Sequence, residues 1–161
     1  MRGKHVERRV AASVALFGAT LGWRLLTFTG FTNDHYAHVA LAQQMRLGDV
    51  PVRDFVDPGW PLTYLLSAAA WSLAGGTMWV EWTIASVAFA CGAALTVVAA
   101  QRLSGSVAIA VLVAALEVFI SPRTYAYPKI LPYAAFAAIV VQGVPSARRL
   151  SLVGLVIAFA F

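Results

Sequence analysis

From Trp79 to Ala100 the chain carries one charged side chain, Glu81, in an otherwise uninterrupted apolar run. Roughly 20 such residues are what a helix needs to cross the hydrocarbon layer of a bilayer. Residues 10–30, 106–121 and 130–144 form further apolar runs, and another opens at Ser151 and reaches Phe161. Residues 59–74 are apolar too, but this run is shorter and opens on Trp60-Pro61. Only 12% of the residues are charged, against about 25% in a soluble domain, and the mean hydropathy is +0.76. The expected fold class is all-α: a polytopic transmembrane helix bundle, in which each helix satisfies its own backbone polar groups. The last run, 151–161, is too short to cross and reads as the incomplete start of a span. The chain therefore reads as the N-terminal part of one transmembrane domain.

A net charge of +5 raises the question of a nucleic-acid partner. The basic residues, however, cluster at the ends of apolar runs, which is the placement that membrane orientation produces. Membrane lipid, not nucleic acid, is the expected partner. The stretch MRGKHVERR precedes the first run, and no small-residue cleavage site follows it. An uncleaved first span with a cytoplasmic N-terminus is expected, which puts the polar loop 31–58 outside. If 59–74 is an interfacial or re-entrant helix and not a span, then Arg102, Arg148 and Arg149 join the N-terminus on the inside. That arrangement also sends Arg24, Glu81 and Glu117 toward the outer ends of their helices, where Arg24 can pair with either acid. The lone cysteine, Cys91, excludes an internal disulfide.

The outer segment, FTNDHYAHVALAQQMRLGDVPVRDFVDPGWPLTYLL, holds Asp34, Asp49, Asp54 and Asp57, most of the seven acids in the chain. Thr32 or Asn33 is suited to start a helix, with Asp34 in its first turn where a carboxylate meets the positive end of the helix dipole. Gly48 is suited to end it. Asp34 and His38 then share a face one turn apart. Asp34, His35 and His38 are also candidate ligands for a divalent metal, although their spacing matches no established metal signature. There is no P-loop, dinucleotide fingerprint or Cys/His zinc pattern, so no nucleotide cofactor is expected.

This order of features resembles a known family. An apolar span leads to an acid at the start of a surface helix (NDHYAHVAL), then a Gly-Asp-x-Pro turn (GDVP), then RDFVDPGWPLTYLL. It is similar to the first outer loop of polytopic GT-C membrane glycosyltransferases, the family-39-like enzymes that include protein O-mannosyltransferases and aminoarabinose transferases. The likeness covers Arg2 to about Leu66, and the rest by hydropathy. Where the family pattern has two adjacent acids, this chain has Asp34-His35. The resemblance implies an integral protein of a bacterial plasma membrane that transfers a sugar from a polyprenyl-phosphate donor to an acceptor hydroxyl on the outer face. It implies Asp34 as the catalytic base, and Arg123, Lys129 and Arg53 as the groups that meet the donor phosphate. His35, His38, Asp57, Glu117, Tyr125 and Tyr127 are candidate supporting residues.

Plainer readings stand beside this one. Asp34 can serve only as a helix-starting residue, Asp54 and Asp57 as loop acids paired with Arg53, and Arg123 and Lys129 as headgroup anchors. A transporter or flippase of a lipid-linked or polar substrate would also place charges within spans. A non-catalytic membrane subunit or truncated remnant is the third alternative.

Overall fold

The computed structural model describes residues 2–56, 61–120, 127–143 and 146–160. Among these residues the chain is all-α, with helices α1 (Arg2–Leu26), α2 (Asn33–Arg46), α3 (Pro61–Ala74), α4 (Met78–Ser104), α5 (Val107–Ile120), α6 (Tyr127–Val140) and α7 (Ala147–Ala160). Of these, α4 is long and apolar enough to cross a membrane, whereas Val107–Ile120 and Lys129–Val140 are apolar but shorter. The runs expected to span at 106–121 and 130–144 thus yield helices of 14 residues. Each is about 21 Å long, against a bilayer core of ~30 Å.

Helix α4 is the hub, and α1, α2, α3, α5 and α6 all pack on it. Its buried residues are mostly small: Ala85, Ser86, Ala88, Ala90, Gly92, Ala93 and Ala99, with Phe89 and Val97 among them. Small side chains let neighbouring backbones approach closely. The closest approach is at Gly92, where a Cβ would lie 2.8 Å from Ile130 Cγ2 and 3.3 Å from the Leu131 backbone nitrogen. Ala85, Ala88, Phe89, Ala93 and Val118 form one core cluster, flanked by Leu16, Ile130 and Leu131. Val97, Ala110 and Ala114 form a second, flanked by Ala12, Leu16 and Ala100. Gly105 ends α4 in the left-handed conformation (φ 71°), with its N–H donating to the Gln101 carbonyl.

Ring contacts fix how the helices run. Phe28, just past α1, meets Trp79 and Trp82 in the opening turns of α4, with centroids 4.9 and 5.6 Å apart. Ala12 and Leu16 of α1 lie against the cluster around Val97, so α1 and α4 are antiparallel. Trp23 meets Phe119, near the end of α5, at 5.8 Å. The end of α1, the start of α4 and the end of α5 therefore share one end of the bundle. Phe31 also meets Trp79, at 5.4 Å. The chain thus leaves α1 and enters α4 at the same place, and α2, its loop and α3 form an excursion that closes at that end.

The bundle end is stepped. Val118 packs in the cluster around Phe89, and Ile130 packs at Gly92. Helix α5 ends and α6 begins part-way along α4, while α4 continues to Met78 and carries the α2–α3 excursion over its first turns. Glu81 and Glu117 do not share one level as the sequence led us to expect. Glu81 lies in the first turn of α4, the Arg24 guanidinium lies over the Phe89 ring at 4.4 Å, and Glu117 is hydrogen-bonded to Thr96. From Glu81 to Thr96 is about 22 Å of helix rise.

Candidate functional site

Helix α2 begins where local chemistry says it should. Thr32 is the N-cap, in extended backbone, and the Thr32 N–H donates to His35 Nδ1 at 2.9 Å. In a capping box this reciprocal contact usually comes from Glu or Gln, and here an imidazole makes it. The position where the resembling family carries its second acid is thus occupied by a ring that starts the helix. Burial holds His35 below its ordinary pKa, opposed by the nearby Asp34 carboxylate. A ring that accepts at Nδ1 is neutral and carries its proton on Nε2.

Asp34 follows in the first turn and is half-buried. His38, one turn on, is buried against two other helices. Its ring meets Tyr64 of α3 edge-on at 4.9 Å, and its Nδ1 lies 3.6 Å from Oε1 of Glu81 on α4. Burial, opposed by the Asp34 carboxylate, pushes His38 down to about 4. The ring is neutral at pH 7, so this contact joins an imidazole and a carboxyl group, not two full charges. Glu81 is wholly buried, as are Thr63, Tyr64 and Ser67 on α3 and Ser86 on α4. With Thr20 and Arg24 from α1, also buried, these groups make a polar core toward one end of an otherwise apolar molecule.

The remaining candidates fall elsewhere. The Arg53 guanidinium clasps its neighbour Asp54, from Nε at 2.9 and 3.0 Å and from Nη2 at 2.6 Å. Asp54 also accepts the Val50 N–H at 2.7 Å. These bonds hold the Asp54 carboxyl below its usual range, and they fit the plainer reading of Arg53 as a loop residue. Lys129 is exposed and opens α6 next to Ile130, which packs at Gly92. It lies about 16 Å of helix rise along α4 from Glu81. Glu117 sits deeper still, beside Thr96. Asp57, Arg123 and Tyr125 lie outside the described residues, as does the side chain of Tyr127. Among the described residues, no three His, Cys, Asp or Glu side chains converge to hold a metal ion, so Asp34, His35 and His38 do not form the divalent-metal site considered from the sequence.

The sequence reading missed Glu81 as the partner of His38, and the polar face of α3. The second was open to discovery, because Thr63 and Ser67 are one turn apart on an apolar helix. The first was not, because nothing local ties α2 to α4. No protein-family model, no curated protein and no solved structure matches the chain.

Proposed function

We propose that the chain carries the catalytic carboxylate of a polytopic membrane glycosyltransferase, which moves a sugar from a polyprenyl phosphate to an acceptor hydroxyl. The observation that carries this reading is the seat of Asp34. It is half-buried in the first turn of a helix that follows α1 directly, on the end of the bundle where a polar core is built. The step in the bundle adds support. Lys129 lies further down α4 than the His38–Glu81 level, an offset comparable with a lysine side chain laid end to end with a sugar phosphate. A lipid-linked donor has the same order: acceptor and sugar toward water, phosphate below, and polyprenyl tail in the bilayer.

The membrane setting has its own support. Leu112, Val113, Leu116, Phe119 and Ile120 of α5 and Val6, Val10 and Val14 of α1 are all exposed, as lipid-facing residues would be. That α1 ends and α4 starts at the same end supports reading α3 as a helix that does not cross, with Arg102, Arg148 and Arg149 on the side of the basic N-terminus. In this reading α1 and α4 are full spans, and α5 and α6 are short spans below the step.

In the reaction, Asp34 accepts the proton of the acceptor hydroxyl as that oxygen attacks the anomeric carbon. The bond from that carbon to the phosphate oxygen breaks, and the phosphate leaves toward Lys129, whose positive charge favours its departure; Arg123 is the second basic candidate from the sequence. Arg53 drops out of this set because Asp54 already engages it. The test is Asp34→Asn in the full-length protein, assayed with a polyprenyl-phosphate sugar. Turnover is expected to fall by about 10²–10⁴, the usual contribution of a general base, with insertion unchanged. Wild-type turnover would remove Asp34 from the chemistry.

A further inference from the structure

We infer that the loop 47–56 docks on lipid, with Leu47, Val52 and Val56 entering the headgroup boundary of the outer leaflet. Val52 is the residue that points there. Its φ is +72°, the one positive value at a non-glycine among the described residues. A β-branched side chain in this region is strained, and Gly or Asn would hold the same backbone with less strain. Valine is therefore not there to make the turn. It is also 81% exposed, so it is not there to fill the core. Leu47 and Val56, at 75% and 89%, are as open. The loop itself is well built. The Val52 N–H donates to the Phe55 carbonyl at 3.0 Å, the Asp54 N–H to the Val50 carbonyl at 2.9 Å, and the Val50 N–H to the Asp54 carboxylate at 2.7 Å. An ordered loop that already presents apolar tips loses little further freedom on docking.

The fold carries this loop out to the bilayer. Phe31, just before α2, meets Trp79 of α4, and α3 ends at Ala74, just before Met78. Helices α2 and α3 thus form a hairpin rooted at the start of α4, with the loop at its far tip. The 14 residues of α2 put that tip about 21 Å from the root. Helix α3 packs on α7 as well as α4, so the hairpin lies across the bundle end and does not stand away from it. Neighbouring helix axes are about 8–10 Å apart, so the tip reaches the rim of the bundle, where lipid begins. The charges suit a lipid surface too. Arg46 and Arg53 balance Asp49 and Asp54, and Arg53 and Asp54 neutralise each other in an ion pair at 2.6 Å. No isolated charge has to approach the acyl chains. The three apolar side chains protrude as separate tips. A fluid surface closes around separate tips, where a rigid protein face would need matching hollows.

The test is depth in the bilayer. The full chain, with Cys91→Ala as background, is reconstituted in phosphatidylcholine vesicles and labelled with a small fluorophore at Val52→Cys, Val56→Cys or Gln43→Cys. Nitroxide on the lipid acyl chains and iodide in the water are compared as quenchers. The probes at the two valine positions should be quenched by nitroxide and shielded from iodide. The probe at Gln43→Cys, exposed on α2, should show the reverse. Val52→Asn relieves the strained backbone and removes one apolar tip. With the probe at Val56→Cys, it should lower the ratio of nitroxide to iodide quenching on the order of tenfold, the loss expected for one valine side chain. Quenching of both valine-position probes by iodide alone would overturn the proposal. So would shielding from both quenchers, which would mark a protein partner, or a ratio unmoved by Val52→Asn. Docking on lipid presupposes the membrane setting proposed above, but neither the role of Asp34 nor sugar transfer. A probe at Leu116→Cys, on the exposed face of α5, separates the two. If nitroxide quenches it while iodide quenches the loop, the membrane setting stands and the docking fails; if iodide quenches both, the setting itself fails.

Discussion

One substitution should have opposite signs at two glycines, and the structure says which. In the interior of a helix, Ala is favoured over Gly by about 1 kcal/mol. At Gly18, in α1, an added Cβ would meet nothing within 4 Å. Gly18→Ala should therefore realise that gain in full and stabilise by about 1 kcal/mol. At Gly92 the same methyl would sit 2.8 Å from Ile130 Cγ2, 3.3 Å from Leu131 N and 3.4 Å from Leu131 Cα. The Ile130 side chain can turn, but the Leu131 backbone moves only if α6 moves. Overpacking of this kind costs about 1–3 kcal/mol. Set against the propensity gain, Gly92→Ala should destabilise by about 1 kcal/mol. For a chain of this size the two variants should shift the midpoint by about 2–4 °C in opposite directions, read from the helical circular dichroism of the detergent-solubilised protein on heating. Ile130→Ala removes the nearest atom, so the pair Gly92→Ala/Ile130→Ala should cost about 1 kcal/mol less than the two single variants summed. If Gly92→Ala raises the midpoint as Gly18→Ala does, α4 and α6 do not touch at Gly92, and the stepped arrangement is wrong.

The other expectations concern pH and sidedness. His38 sits near 4 against an ordinary 6.5, so the unseated ring takes up a proton first as the pH falls. The seat of α2 should be at full strength above about pH 6.5 and lose up to about 3 kcal/mol as the pH falls toward 4. The reaction of an Ala42→Cys thiol, on the buried face of α2, with an aqueous maleimide should accelerate over that interval, and His38→Leu should remove the dependence; a flat profile in the parent would refute the assignment. Ser104→Cys and Ser146→Cys should react with an aqueous thiol reagent from the side opposite to Gln43→Cys, whereas reaction of all three from one side would refute the orientation.

What could be read from the sequence was what neighbouring residues decide among themselves. Thr32 and Gly48 set the ends of α2 through capping chemistry confined to a turn or two. Arg53 found Asp54 because they are adjacent. The all-α class followed from apolar runs that only helices can bury or pass through lipid. What could not be read depends on how far one helix slides along another. The level at which α6 meets α4 is set by the fit of Ile130 and Leu131 against Gly92, and no periodicity in either run encodes that register. The Arg24 guanidinium lies over Phe89, a contact nothing in the sequence suggested, because antiparallel packing of α1 on α4 brings that ring beneath it.

The same distinction explains why the candidate site was half visible. Asp34 stood out because a carboxylate just beyond an apolar span is conspicuous in any reading of this chain. Glu81 did not, because an acid in the first turn of a long apolar helix has an ordinary role in meeting the helix dipole. Its burial contradicts that role. A carboxyl serving the dipole alone would sit in water at the helix end, where it costs nothing to keep charged, whereas Glu81 is wholly covered by α2 and its neighbours. Removing such a group from water is unfavourable unless other groups meet it, and the His38 ring is one of the groups brought near it, at 3.6 Å. The approach of His38 to Glu81 ties the outer segment to α4 at a level the apolar pattern does not specify. Sliding α2 by one residue along its axis would rotate His38 off Glu81 and carry Asp34 away from its place beyond the end of α1.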